Sequence, residues 1–573
     1  MDDRWQTLPP IRPPTPVTAL AGGPGGVWAG GAGGVAWLPA SGDWLPQISG
    51  LPVTSVAALA HAGGWLLAGG AGGIARSSDG GRSWRPADTG GPIGAVTAIA
   101  VSPSFDQDYT ALAATLGAGV LRSSDAGRHW QPATFGLETL EATDLLWLGG
   151  EEVLLATADG AYRSPNGGRA WRRCAGTEGA PLAALAAGPD GALFAAVELG
   201  GLLRAPGAHA RWERHGDLPP DIRITALHAA RSGSLLLGSV DHGLLRSCDV
   251  GATWQRVADG MALAFATAGG DIYAGTESGA LRSGDGGATR EPLPAPPLHD
   301  LRRLLVARES LVVAGIHSPP VRLAGAEWQA LESCPLPLTG MAAGPDGALL
   351  ASSPAGLARS EDGGRSWRTV VPGAQGCVAR ITLREDGAGW AGSADGARLL
   401  RTSDGGRTWI PIPSPFGVLP LAALQALPAA GPDDAPLLLA ATYDPRRQAA
   451  LLWRSADGGA TWERGLEART SWPIAAAHDR PALIALGNLL LVRRGADRWE
   501  RTALPGEVRR VVGDGDTLLA LTTAGLLRSD DAGARWRAAG EALPAEQLMD
   551  IALGGGFLWA LLAGGEVRRR PWP

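Results

Sequence analysis

The chain has 573 residues, 45% of them hydrophobic and 18% charged, with a formal net charge of −6. That balance is globular rather than disordered. It argues against a general nucleic-acid binder, which carries a basic face, and no apolar run approaches the ~18 residues of a membrane span.

The first ten residues, MDDRWQTLPP, lack the apolar core of a secretory leader, so a cytoplasmic location is expected. Residues 4–10 read as a lone outer strand carrying Trp5. Residues 21–37, AGGPGGVWAGGAGGVAW, read as strands joined by glycine turns, and Trp44 follows. An eight-residue phrase, SSDGGRSW, then appears at residues 77–84. It returns as SSDAGRHW (123–130), SPNGGRAW (164–171), SCDVGATW (247–254) and SGDGGATR (283–290). Residues 291–300, EPLPAPPLHD, are proline-rich and suited to a linker. The phrase resumes as SEDGGRSW (360–367), TSDGGRTW (402–409), SADGGATW (455–462) and SDDAGARW (529–536). Trp44, Trp212, Trp328, Trp499 and Trp572 mark eroded units that keep only the aromatic. Fourteen units result, spaced by about 41 residues on average.

Each unit reads as four short strands. In residues 182–214, LAALAAG leads through the turn GPDG to ALFAAV, then GLLRA, and the last strand starts at Trp212. The phrase is the turn between strands three and four, and its chemistry is local. Its acidic position is Asp79, Asp125, Asn166, Asp249, Asp285, Asp362, Asp404, Asp457 or Asp531. A side chain there accepts turn N–H groups, and the preceding Ser or Thr adds a second local bond. The closing aromatic is Trp84, Trp130, Trp171, Trp254, Trp367, Trp409, Trp462 or Trp536, which buries a large ring against a neighbouring unit. Four strands per unit, repeated, predict β-propeller blades, which bury their faces only by stacking. Propellers have four to eight blades, so the all-β fold is expected to be two propellers of seven blades. They span residues 11–292 and 293–573, with residues 1–10 completing the last blade. A six-plus-eight division is the alternative.

The phrase resembles the Asp-box of the BNR repeat families, and the resemblance runs through nearly the whole chain. Such families include sialidases, two-propeller xyloglucanase-type glycosidases, sortilin-type receptors and photosystem II stability and assembly factors. The resemblance implies that the boxes are folding elements on the face away from a substrate site, so no catalytic role passes to their aspartates. A sialidase needs an arginine triad, and the nearest match to its first member is Arg12 in PPIRPP. The four tyrosines are Tyr109, Tyr162, Tyr273 and Tyr443; Tyr162 and Tyr273 read as packing residues. The glycine-rich segment 21–37 lacks the carboxylate that a xyloglucanase-type site places after it.

No HxH or HExxH pattern joins the nine histidines, and Cys174, Cys248, Cys334 and Cys377 form no CxxC, so neither metal nor cofactor is expected. An arginine precedes every box: Arg76, Arg122, Arg163, Arg246, Arg282, Arg359, Arg401, Arg454 and Arg528. These are expected to cover the outer surface and pair with nearby carboxylates. What remains is the opposite face. In the first propeller its two-to-three loops carry Asp159, Glu198, Asp241, His242 and Glu277. In the second the longest such loop is residues 443–448, YDPRRQ. The expected function is a non-enzymatic binding or assembly module, with a protein partner ahead of carbohydrate and no nucleic acid. The alternative is a glycoside hydrolase of the two-propeller or sialidase-like type.

Overall fold

A computed structural model describes residues 5–11, 15–47, 51, 55–307, 310–316, 318–344, 346–373, 378–384, 386–417, 419–426, 436–444, 447, 449–469, 474–476, 483–493, 499–539, 543 and 547–572. Among the described residues the chain forms fourteen four-stranded antiparallel sheets. They divide into two compact units, residues 12–299 and residues 1–11 with 300–573. Each unit contains seven of the sheets and is a β-propeller. The proline-rich stretch stays with the first unit, seven residues beyond the expected boundary at 292. Leu298, fully buried, and Leu293 pack into the cluster formed by the first and seventh blades of that unit.

The blades form because their strands are apolar on both faces. Leu193–Val197 is buried at every position. Leu193, Ala195 and Val197 meet the preceding blade, while Phe194 and Ala196 meet the following one. A strand covered on both sides reads as a continuous apolar run rather than an alternating one. The one departure from all-β structure among the described residues is a single helical turn, Phe105–Asp108. It forms the loop between the first two strands of the third blade.

Both units close on themselves. In the first, Val17 N donates to Thr276 O at 2.9 Å, and Trp44 Nε1 donates to Pro294 O at 2.8 Å. In the second, the strand Gln6–Thr7 pairs with Val567–Pro571 as the outermost strand of the last blade. Leu8 N donates to Val567 O at 2.9 Å, and Ile11 is fully buried among Leu304, Trp559 and Leu561. An outer strand taken from the far end of the chain covers a sheet edge that would otherwise be open.

The first strand of each blade is the innermost and packs against the innermost strands of its neighbours. Six blades of the first unit carry a β-bulge near the start of this strand, as between Val96 and Ala98 or Ile224 and Ala226. A bulge leaves one residue unpaired and re-aims its side chain. Threonine uses this freedom to staple blades together: Thr97 Oγ1 donates to Ala142 O at 2.9 Å, Thr143 Oγ1 to Leu182 O at 2.6 Å, and Thr225 Oγ1 to Ala262 O at 2.6 Å.

The position just after the bulge, with its register equivalent Ala19 in the first blade, forms a tier along the innermost strands. In the first unit it reads Ala19, Ala58, Ala98, Asp144, Ala184, Ala226 and Ala264. Asp144 accepts from its neighbour Leu145 N and from Leu185 N of the next blade, both at 2.8 Å. Burial pushes its carboxyl up to about 6, outweighing those two bonds to the charged form.

Candidate functional site

The boxes build one face of each propeller. In the second blade Ser77 Oγ donates to Asp79 Oδ1 at 2.7 Å and accepts from Gly81 N at 2.8 Å. Asp79 Oδ1 in turn accepts from Ser83 N at 2.9 Å. The serine or threonine takes the N–H of the fifth box residue in all nine copies, including that with Asn166. The hydroxyls of Thr253 and Thr289, with the backbone N–H groups beside them, hold Asp249 and Asp285 down at about 2. Every carboxylate oxygen of Asp249 is used within its own turn. The arrangement rigidifies a hairpin.

The box tryptophans fall into two groups. Trp130, Trp254, Trp367, Trp409, Trp462 and Trp536 donate Nε1 to the glycine carbonyl of their own box at 3.0–3.2 Å. Trp84 and Trp171 instead reach the preceding blade, at Gln47 O and Ala133 O, both at 2.8 Å. Two of the eroded units behave like the second group: Trp44 reaches Pro294 O and Trp328 reaches Pro9 O, both at 2.8 Å, whereas Trp212 is buried without such a bond. In these two units the tryptophan latches one part of the ring to the next.

The arginines before the boxes bridge blades too. Arg122 Nε donates to Gly167 O at 3.0 Å, Arg246 Nε to Gly286 O at 2.9 Å, and Arg359 Nε to Gly405 O at 3.2 Å. Each acceptor is the fourth residue of the next blade's box. Others pair with carboxylates, as Arg163 with Glu152 at 2.9 Å and Arg282 with Asp271 at 2.5 Å.

The opposite face is the candidate site. Antiparallel connectivity puts the two-to-three loops and the blade-to-blade loops at the end of the blade away from the boxes. Asp159, Glu198, Asp241 with His242, and Glu277 occupy these loops in the fourth to seventh blades of the first unit. Two of the carboxylates are already neutralised. Asp159 accepts from Arg173 Nη2 at 2.6 Å, and the same nitrogen reaches Glu138 at 2.8 Å and the Tyr162 hydroxyl at 2.9 Å. Asp241 takes a bidentate grip from Arg223, at 2.6 and 3.0 Å. These arginine bonds hold both carboxyls below the usual range. Glu198 and Glu277 are exposed and have no ion-pair partner among the described residues. His242 is half-buried, and its backbone N–H donates to Ser239 Oγ at 3.2 Å. In the second unit, residues 445, 446 and 448 of the YDPRRQ loop lie outside the described residues, as do Arg12 and Cys377.

The acids expected from the sequence therefore share this face with large apolar side chains that it did not suggest. Leu116, Leu140, Leu199 and Val240 sit in the same set of loops with 42%, 45%, 57% and 44% of their surface exposed. Leu116 bridges to Glu141, and Leu199 bridges to Arg223. Arg223 thus ties the Leu199 loop to Asp241.

No protein-family model matches the chain. Solved structures match it along its length. The GH74 xyloglucanase of Xanthomonas campestris is similar with a TM-score of 0.64 at 17% identity, covering 99% of this chain and 100% of that one. The Niastella koreensis GH74 enzyme gives 0.66 at 14% identity, covering 98% and 99%. PorZ, a bacterial surface component of the type-IX secretion system of Porphyromonas gingivalis, gives 0.51 at 16% identity, covering 98% and 86%. At these identities the likeness establishes the fold, which GH74 enzymes and a secretion-system surface component share.

Proposed function

We propose that the chain is a non-catalytic binding module whose first propeller presents its loop face to a protein partner. The observation that carries this reading is the pairing of exposed Leu116, Leu140, Leu199 and Val240 with carboxylates already closed by Arg173 and Arg223. Apolar groups beside internally neutralised charges suit a protein interface core with a polar rim. Asp159 and Asp241, held in this way, are not free for acid–base work. Cytoplasmic residence belongs to the same reading, and the free thiols of Cys174, Cys248 and Cys334 accord with it.

The test is a double substitution, Leu199→Glu with Val240→Glu, against a partner cross-linked to the wild type. Affinity should fall by about tenfold or more, as for loss of central apolar anchors, while Leu45→Glu, exposed elsewhere, leaves it unchanged. Equal affinity in all three removes this face. The second reading is a glycoside hydrolase, favoured by the full-length likeness to GH74 xyloglucanases. Release of oligosaccharides from xyloglucan by the wild type would establish it instead.

A further inference from the structure

One blade of the first propeller lacks the ring that seals the other six. Those six set a tryptophan at the start of their outermost strand: Trp44, Trp84, Trp130, Trp171, Trp212 and Trp254. Each packs in one cluster with residues of the preceding blade and with the third residue of its own third strand. That third-strand residue is Ala36, Ala75, Leu121, Tyr162, Leu203 or Leu245, each 6% exposed or less. The seventh blade has Arg290 in place of the tryptophan, with its side chain exposed. Leu281, the matching third-strand residue, is only half-buried. The buried cluster that spans the sixth and seventh blades is small: Ala230, Leu236 and Ile272, with Phe265 beside them.

The box hairpin of that blade is otherwise intact. Ser283 Oγ donates to Asp285 Oδ1 at 2.8 Å and accepts from Gly287 N at 2.9 Å, and Thr289 N donates to Asp285 Oδ1 at 2.8 Å. With arginine at the last position, a groove of about 570 Å³ opens between the rims of the two blades. Ala258 and Gly260 line it from the sixth blade, and Leu281, Arg290 and Pro292 from the seventh. Its volume lies within the roughly 300–1,000 Å³ of binding clefts. It runs open from Thr289 at the box end to Ser278 in the two-to-three loop, which suits a stretch of chain rather than an enclosed small molecule. Thr276 and Thr289 spend their hydroxyls on Gly279 O at 3.0 Å and Asp285 Oδ2 at 2.6 Å. What they leave open is an apolar floor with one guanidinium at its edge.

We propose that this groove takes a tryptophan side chain from an extended segment of a partner protein, its ring on Leu281 and Arg290 against its outer face. The choice of an aromatic rests on the six blades that fill the same place with their own indole. The choice of tryptophan over phenylalanine rests on an acceptor and a cation. In the first and third blades the residue three past the tryptophan position, Gln47 or Ala133, accepts the next blade's indole N–H at 2.8 Å. The matching residue of the sixth blade is Val257, left unpaired where the outer strand bulges between Arg256 and Ala258. Arginine over tryptophan recurs in this chain, at 5.8 Å for Arg76 on Trp65 and 5.9 Å for Arg401 on Trp390, and the contact is attractive. The groove lies on the rim, apart from the loops of Leu199 and Val240, so the proposal stands whether or not the loop face binds.

Saturation-transfer NMR of a blocked Gly-Ser-Trp-Ser-Gly peptide with the full chain tests it. One saturable site is expected, with the strongest transfer at the indole protons, and affinity about tenfold lower or less when alanine replaces the peptide's tryptophan. Arg290→Trp gives the seventh blade the ring of the other six, so peptide binding should fall about tenfold or more while the melting temperature rises. Arg290→Ala leaves the groove open and removes the cation, so binding should weaken only about two- to fivefold. Leu199→Glu with Val240→Glu should leave it unchanged. Absence of saturable binding, equal binding of the alanine peptide, or undiminished binding in Arg290→Trp would overturn the proposal. So would equal affinity for N-acetyltryptophanamide, which assigns the groove to a small aromatic molecule, or a wild-type dimer abolished by Arg290→Trp, which assigns it to a second copy.

Discussion

Trp84 tests what the box aromatic contributes. Its side chain is 4% exposed and packs with Trp28, Val56 and Leu66, and its indole N–H crosses to Gln47 O of the preceding blade at 2.8 Å. Truncating a buried Trp to Ala costs about 3–5 kcal/mol. Stranding the Gln47 carbonyl adds about 1 kcal/mol, so Trp84→Ala should lose about 4–6 kcal/mol. Trp84→Phe keeps most of the ring but not the bond between blades, and should lose about 1–3 kcal/mol. Trp254 is the control. It is half-buried and bonds only its own Gly251 O at 3.1 Å, so Trp254→Phe breaks nothing between blades and should cost under about 1 kcal/mol. Urea unfolding followed by far-ultraviolet circular dichroism orders the three. Equal losses for the two Phe variants, or a loss below about 2 kcal/mol for Trp84→Ala, would refute the latch.

Deleting residues 1–10 removes the outermost strand of the last blade and the Pro9 carbonyl that Trp328 holds at 2.8 Å. Limited proteolysis should then cut residues 300–573 about tenfold faster or more, while residues 12–299 keep their resistance; the reverse pattern would contradict the pairing. Two kinds of aspartate predict opposite responses to pH. Asp249 and Asp285 sit at about 2 when folded, so their stabilisation is complete above the unfolded value of about 4 and fades as pH falls towards 2. Asp144 sits at about 6 when folded, so the unfolded chain releases its proton first and stability falls as pH rises from about 4 to 6. Melting temperatures across pH 2–7 should show Asp144→Asn removing the upper decline and leaving the acid side unchanged.

The blades were legible in the sequence because the box is local chemistry. Ser77, Asp79 and Gly81 satisfy one another within five residues, so each copy announces its own hairpin. The register of the innermost strands was not legible, because its partners lie in another blade. Thr97, Thr143 and Thr225 bond carbonyls roughly one repeat further on, in strands that read as uniform Ala and Leu runs. The candidate site was half legible. Asp159, Glu198, Asp241 and Glu277 announced themselves as loop acids. The neutralisation of Asp159 by Arg173 and of Asp241 by Arg223 depends on which strands and loops the blade brings side by side, at separations of 14 and 18 residues that no local pattern marks.

The two propellers share a blade and differ where the blade leaves a choice. Positions wedged between neighbouring sheets are held to apolar residues in both units, because a change there opens a cavity at two interfaces at once. The tier after the bulge is packed as well, with Ala19, Ala58 and Ala184 each in a buried cluster, yet it accepts charge in both units. In the first unit it holds six alanines and Asp144. In the second it holds Arg303, Arg380, Arg510 and Asp550, of which Arg510 and Asp550 lie 3.8 Å apart. Arg380 uses the position to bond the next blade, where the first unit mostly has alanine. The charges of Arg380, Arg510 and Asp550 are each met inside the unit: Arg380 by the Ala422 and Ala379 carbonyls, Arg510 by Asp550, and Asp550 by the Leu304 N–H.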